Sequence, residues 1–192
     1  MSLTLALTDE YIRLFATCKV RSERVRPTRA IVQKIMDNWA RYEAVAAGTA
    51  IPWWAVALVH RMEAGGDFGL HFHNGDSLKA RTVQYPSGRP PGGDPPFTWE
   101  ESAVDSIRFQ RWDKWTDWSL TGALYKLESY NGWGYRRFHP KVLSPYLWSG
   151  SEHYIQGKYT ADGQFDPKTR SKQIGAAVIL KELEAQGRVV FT

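Results

Sequence analysis

The chain has 192 residues, of which 43% are hydrophobic and 23% charged, and its formal net charge at pH 7 is +5. This length and composition are typical of one globular domain with a substantial core, so we expect a single domain over residues 1–192. Cys18 is the one cysteine, so an intramolecular disulfide is excluded. The sequence has no Lys/Arg-rich run and no nucleic-acid motif, which argues against a nucleic-acid partner.

The first ten residues carry none of the features of a secretory signal, since they have neither a basic start nor a long apolar run. No window of the sequence reaches the length of an apolar membrane span. We therefore expect a monomer that is made in the cytoplasm and does not insert stably into a membrane. Its modest positive charge favours anionic partners.

Helical periodicity predicts three helices in the first third of the chain. Apolar residues recur at helical spacing in Thr8–Lys19 and again in Thr28–Ala47. A third helix follows Pro52, a residue suited to a first helical turn because its missing N–H is not needed there. Gly65-Gly66 is expected to end this third helix.

Residues 66–97 differ in composition from the helical segments on either side. They hold six glycines and five prolines, and short β-like pieces such as Thr82–Tyr85 stand between turn signals. A loop-rich insertion of this length inside a compact domain is usually functional or disordered. The aromatic residues and histidines of this insertion favour a functional role over disorder. We expect the insertion to form a small β lobe.

Local capping signals predict the remaining helices. Thr98 and Glu101 form a capping-box pair at the start of a helix that ends near Trp112. Asp117 or Ser119 can begin the next helix, which ends at Asn131-Gly132. Ser144-Pro145 precedes a short helix, and Asp166-Pro167 precedes a final helix that runs to Ala185. The predicted fold class is therefore mainly α (α+β).

Glu63 is unusual on the third helix because it lies in the last turn, directly after an apolar run. The helix dipole disfavours negative charge at a C-terminal end, and apolar surroundings remove water from the carboxyl group. Both effects favour the protonated form, which is the form that a general acid requires. Glu63 is therefore a candidate catalytic residue, and the alternative is an ordinary surface residue at a helix end.

Several short motifs occur in a fixed order along the chain. The helix that ends in Glu63 is followed by Gly-rich chain, and the later motifs are Tyr130-Asn131-Gly132, Asn131–Arg136, Ser144–Trp148, Gly157–Tyr159 and Asp162-Gly163. Over about residues 30–185 this set resembles the lysozyme-like superfamily of phage endolysins, goose-type lysozymes and lytic transglycosylases. The Tyr-Asn-x-Gly segment of transglycosylases is matched in part, because Trp133 stands in fourth place and glycine follows at 134.

The resemblance implies a lysozyme-like single domain, with a small β lobe beside a helical lobe, that cleaves the glycan strands of peptidoglycan. Glu63 would protonate the glycosidic oxygen in this muramidase-type reaction, which needs no cofactor and no metal. A phage-related endolysin of this kind would be released to the cell wall by another factor. A chitin-like substrate stays open, and so does the choice between a hydrolysed and a 1,6-anhydro product.

A second carboxylate would stabilise the positively charged transition state or activate water. Asp76 follows Glu63 by thirteen residues, a placement similar to that of an aspartate in goose-type lysozymes. The alternative is that Asp76 closes an Asn-Gly-Asp hairpin turn. Asp67 is closer in sequence and could instead cap a turn, and some relatives need no second carboxylate.

The resemblance also indicates residues for a sugar-binding cleft. The candidates are Tyr130, Asn131, Tyr135 and Trp148, because aromatic faces stack on pyranose rings and an Asn amide can bond an N-acetyl group. The alternative places Tyr130 and Trp148 in the hydrophobic core.

Two other functions fit the sequence. His60 and Glu63 are three residues apart on one helix, and with His71 or His73 they could hold zinc in a cell-wall amidase or peptidase. The chain could also be a non-catalytic glycan-binding phage protein whose site has decayed.

Overall fold

The computed structural model describes residues 1–161 and 163–191 and is mainly helical with a small β part, which confirms the predicted fold class. The elements are α1 (Leu5–Ala16), α2 (Ser22–Asp37), α3 (Trp39–Thr49), α4 (Trp53–Ala64), α5 (Trp99–Phe109), a 3₁₀ turn (Trp112–Lys114), α6 (Leu120–Asn131), α7 (Gly134–Phe138), α8 (Pro145–Trp148), β1 (Lys158–Ala161), β2 (Gln164–Asp166) and α9 (Ala176–Ala185).

The chain divides into two compact units. The first unit comprises Met1–Gln33 and Asp117–Thr192, and the second comprises Lys34–Thr116. The sequence-based expectation of a single domain stays a prediction.

The first unit is built around helices α1, α6, α8 and α9. Helix α6 packs against α1 and α8, and α8 also packs against α9. Most of the largest side chains that are completely enclosed in this unit come from these helices, for example Leu124, Leu127, Leu147, Trp148 and Ile179. The antiparallel pair of β1 and β2 belongs to the same unit, with Lys158 opposite Asp166 and Tyr159 opposite Phe165.

The second unit has α3, α4 and α5 as its helical core. Helix α3 packs against both of the others, and nine of the twelve residues of α4 are buried. Within this unit the chain turns at Gly65, which has the left-handed φ of 65° expected of a helix stop. The predicted end of the third helix is therefore confirmed, and Glu63 lies in its last turn.

The long helix predicted over Thr28–Ala47 is two helices, so this expectation was wrong. The break falls at Asn38, whose side-chain Nδ2 donates to the carbonyl oxygen of Lys34 over 2.9 Å. That carbonyl would otherwise accept the backbone N–H of residue 38, and an Asn side chain competes for such bonds. The apolar periodicity continues across the break, which is why periodicity alone did not reveal it.

The β part also differs from the prediction. Thr82–Tyr85 forms no strand, and the described backbone of residues 66–97 contains only an isolated bridge between Leu70 and Ser77. The strands lie instead at 158–166, and the final helix begins at Ala176. Asp166 does not cap that helix, because its carboxylate accepts from the N–H of Lys168 over 2.8 Å in a local turn.

No single helix in the described part of the chain is long and apolar enough to cross a membrane. Helices α3 and α4 reach that length and composition only as a pair, and the pair is bent by 112°.

Candidate functional site

Glu63 is partly exposed at the end of a helix whose other residues are mostly enclosed. Its neighbours Met62 and Ala64 are buried, with 7% and 6% of their surface exposed. The next turn of the chain begins at Gly65. This placement gives a carboxyl group at the surface of the second unit with apolar protein behind it.

The turn that carries Asp76 lies against the end of α4. A Cβ atom added to Gly75 would be 3.0 Å from the backbone oxygen of Glu63 and 3.8 Å from the Cα of Ala64. Gly75 has a φ of 78°, so both its conformation and its close contact require glycine. The two candidate carboxylates of the second unit therefore stand on neighbouring backbone segments.

The Asp76 carboxylate is held by its own loop. Oδ2 accepts from the backbone N–H groups of Val83 and Gln84, over 2.8 and 3.0 Å, and from the Asn74 amide over 3.1 Å. Desolvation alone would raise the pKa of Asp76, but these hydrogen bonds and the nearby His71 outweigh it and hold the pKa below its usual range. Asp76 thus carries a fixed negative charge and closes a turn.

Asp67 is exposed and caps a turn, because its Oδ1 accepts from the N–H of Gly69 over 2.8 Å. Its backbone oxygen accepts from His60 Nε2 over 3.1 Å. The role of Asp67 in the structure is thus to order the chain that follows α4.

His60 and His71 are buried, and both ring nitrogens of each bond to protein atoms. In His60, Nε2 donates to the Asp67 carbonyl, so Nδ1 accepts from the Tyr42 hydroxyl over 3.0 Å. In His71, Nε2 donates to the Ala80 carbonyl and Nδ1 accepts from the Ser102 hydroxyl, both over 2.8 Å. Neither ring has a nitrogen left for a metal ion, and the described residues contain no group of three or more His, Cys, Asp or Glu that could hold one.

His73 takes part in a charged network that the sequence did not reveal. Its Nε2 donates to Asp105 Oδ2 over 2.8 Å, and Arg89 bonds both oxygens of the same carboxylate. Burial alone would raise the pKa of Asp105, but the bonds from His73 and Arg89 outweigh it and lower that pKa. The network joins the Gly- and Pro-rich segment to α5, and no pattern within either segment signals a pairing across 32 residues.

The first unit contains an open groove of about 590 Å³, which we call the aromatic groove. It is lined by Asn131, Gly134, Tyr135, Phe138, Pro145, Tyr146, Lys158, Tyr159, Thr160, Ala161, Gly163, Ser171 and Gln173. Four of these are aromatic, and Phe138 is 71% exposed, so it offers a free ring face. Amide and hydroxyl side chains belong to the lining together with these rings.

Two of the four candidate sugar-binding residues line this groove. Asn131 is exposed at the end of α6, and Tyr135 contributes from α7. Tyr130 is partly exposed but does not line the groove, and Trp148 is completely buried in the core of the first unit. Glu63 and Asp76 belong to the second unit.

Four groove residues were not predicted as site residues from the sequence: Phe138, Tyr146, Lys158 and Tyr159. Tyr146, Lys158 and Tyr159 lie in motifs that carried the resemblance, and that was the one signal available for them. Asp162, from the same motifs, lies outside the described residues.

An ion pair between Glu128 and Arg136 holds together the helices that line the groove. Glu128 on α6 is 2% exposed and accepts from Arg136 over 2.9 Å and from the Tyr11 hydroxyl over 2.5 Å. Burial raises the pKa of Glu128, while Glu10 binds the other side of Arg136 over 3.1 Å. These contacts fix α6 and α7, the helices that present Asn131 and Tyr135.

No protein family, curated protein or solved structure matches this chain. The assignment of a function therefore depends on the residues and their arrangement.

Proposed function

We propose that the protein binds the glycan strands of peptidoglycan, or of a related amino-sugar polysaccharide, and cleaves them with Glu63 as general acid. The observation that supports this proposal most is the aromatic groove, because ring faces next to amides and hydroxyls are complementary to N-acetylated sugars. The ordered motifs that resemble the lysozyme-like superfamily support the same function. Such a protein would be a phage-related endolysin that reaches the cell wall through another factor.

In the proposed reaction the Glu63 carboxyl group gives its proton to the glycosidic oxygen while the bond from that oxygen to C1 breaks. The positive charge that develops on the sugar ring is stabilised by a nearby negative charge. Asp76 suits this electrostatic role better than that of a nucleophile, since its Oδ2 already accepts three hydrogen bonds. Water then adds to C1, and its proton restores the acid. Attack by the sugar's own hydroxyl would give the 1,6-anhydro product instead.

Binding without cleavage is the second candidate function. One observation favours it: none of the described residues that line the aromatic groove is an acid. The described lining then supplies no carboxylic acid to protonate the glycosidic oxygen, and a protein that used this groove alone would only bind the glycan.

The product of digestion distinguishes these functions. Purified peptidoglycan and chitin are incubated with wild-type protein, and the masses of the soluble products are measured by mass spectrometry. We expect glycan fragments with a hydrolysed or anhydro end, and Glu63→Gln should release them at least about 10²-fold more slowly. Glu43→Gln is the matched control, because Glu43 is an exposed acid of the same unit, and it should retain activity.

Binding is measured separately by sedimentation with the insoluble glycan. Phe138→Ala should lose most of the binding, whereas Tyr85→Ala, which removes an 84% exposed ring outside the groove, should not. Binding without soluble products would favour the second candidate. Release of free stem peptides, or no binding at all, would contradict the proposal.

A further inference from the structure

The charge of the aromatic groove comes from one residue among those described. Lys158 is the only charged side chain in the described lining, where it stands among Tyr135, Tyr146 and Tyr159. It is the first residue of β1 and is partly buried. An ammonium group in this position gives the groove a local positive charge, which attracts an anion more strongly than a neutral sugar.

The residue opposite Lys158 does not neutralise it. Asp166 is its partner in the strand register, but the Asp166 carboxylate bonds Thr169 Oγ1 over 2.5 Å and the N–H of Lys168 over 2.8 Å. Lys158 forms no ion pair with any acid in the described part of the chain. Among the described residues, therefore, no acid neutralises its charge.

The neighbouring groups restrict the kind of anion. The lining also contains the amide residues Asn131 and Gln173 and the hydroxyl residues Thr160 and Ser171. Amides and hydroxyls are the side-chain groups that bond the hydroxyl and N-acetyl groups of a sugar. The exposed ring of Phe138 and the partly exposed ring of Tyr159 suit its apolar face, whereas Tyr135 and Tyr146 are buried. A small inorganic anion would use none of these, so the arrangement favours an anionic group attached to a sugar ring.

We infer that Lys158 selects glycans whose amino sugars carry a carboxylate over neutral glycans of the same backbone. This inference rests on the proposed function and concerns muramic acid whose carboxylate is free, as on strands from which the stem peptides have been removed. Lys158 would then be the residue that separates such a polymer from a chitin-like one. A charge-assisted hydrogen bond in a partly buried site is worth about tenfold in affinity or more.

Three soluble tetrasaccharides test the inference by calorimetry. They are the acidic form with alternating N-acetylglucosamine and N-acetylmuramic acid, its methyl ester, and chitotetraose, and each is checked by mass spectrometry for cleavage during the measurement. Wild-type protein should bind the acidic form about tenfold more tightly than the ester or chitotetraose. High salt should reduce this preference.

Variants identify the residue responsible. Lys158→Met should bind the three ligands with equal affinity, and Lys158→Arg should keep the preference. Lys141→Met is the matched control, because Lys141 is exposed outside the groove, and it should behave as wild type. Circular dichroism and thermal unfolding confirm that the variants fold.

Two results overturn the inference while leaving the proposed function intact: equal wild-type affinity for the acid and its ester, or a preference that survives in Lys158→Met. If the wild-type protein binds none of the three glycans, the proposed function fails and the inference fails with it.

Discussion

The hydroxyl oxygen of Tyr135 accepts a hydrogen bond from the backbone N–H of Tyr159, 3.1 Å away. This bond joins α7 to β1, and both residues line the aromatic groove. Burial raises the pKa of Tyr135, so the phenol stays protonated, and its oxygen accepts this bond through a lone pair. The bond therefore fixes the position of one wall of the groove against the other.

Tyr135→Phe removes this acceptor without changing the shape of the ring. The N–H of Tyr159 then loses its partner, and we expect the free energy of unfolding to fall by about 1 kcal/mol. Glycan binding should weaken about threefold or more because β1 is less well fixed. Tyr85→Phe is the control, since Tyr85 is 84% exposed. Equal binding by Tyr135→Phe and wild type would show that the bond does not shape the groove.

The contact between Gly75 and Glu63 gives a second prediction. Gly75→Ala places a Cβ atom 3.0 Å from the Glu63 backbone oxygen, so the end of α4 must shift. We expect glycan cleavage to fall, and the free energy of unfolding to fall by about 2–3 kcal/mol. Urea denaturation and the rate of glycan release measure the two effects.

Gly88→Ala is a close control for this change. Gly88 has a similar φ of 74°, but nothing lies within 4 Å of an added Cβ. It should therefore show only the backbone strain, about 1 kcal/mol, with cleavage unchanged. If the two alanine variants cleave glycan at the same rate, the contact with Glu63 has no part in activity.

The parts of the fold that the sequence predicted are those set by a few adjacent residues. The stop of α4 at Gly65 and the capping box of Thr98 and Glu101 depend on local hydrogen bonds, so their motifs were sufficient. The break at Asn38 was missed because it depends on one side chain. The Asn38 amide bonds the Lys34 carbonyl in place of the backbone N–H that would continue the helix. The start of α9 was misplaced because Asp166-Pro167 has the composition of a helix start and forms a turn instead.

The candidate site was harder to predict, because its contacts join distant parts of the chain. The motif led to Asn131 and Tyr135, but the place of Lys158 and Tyr159 depends on contacts of β1 with distant residues, such as the hydrogen bond from the Tyr159 N–H to Tyr135 on α7. Trp148 was proposed for the cleft from its motif, yet its indole is enclosed between packed helices. Helical spacing alone does not show which face of a short helix will be covered.

The burial of His60 gives a third prediction, which concerns pH. Desolvation lowers the pKa of His60 from 6.5 to about 4, and Arg41 and Arg61 act in the same direction, while the carbonyl and charge of Asp67 act against it. At pH values between 4 and 6.5, His60 is protonated in the unfolded chain and neutral in the folded protein. Stability is therefore full above pH 6.5 and declines as the pH falls toward 4, by up to about 3 kcal/mol.

Urea denaturation at pH 7.0 and pH 4.5 measures this loss. Other groups also titrate, so the comparison is made with His60→Phe, which should lose less stability between the two pH values than wild type does. Tyr42→Phe removes a hydrogen bond to the ring but leaves the imidazole, and it should lower stability about equally at both. An unchanged pH dependence in His60→Phe would contradict the prediction.

The buried pair of Glu128 and Arg136 gives the last prediction. Arg136→Met leaves the carboxylate of Glu128 enclosed without its positive partner, and removing one member of a buried pair costs about 3–5 kcal/mol. The double variant Glu128→Leu with Arg136→Met should recover part of this loss, because no unpaired charge then remains.

A surface pair serves as the reference for this experiment. Arg29 is 67% exposed and bonds Glu182 over 3.3 Å in the same unit, so Arg29→Met should cost less than about 1 kcal/mol. Glycan binding should fall in Arg136→Met. In the double variant, binding should recover to a smaller extent than stability does, because no hydrogen bond then joins position 128 to α7. If stability and binding recover together, the pair contributes stability alone and does not position Asn131 and Tyr135.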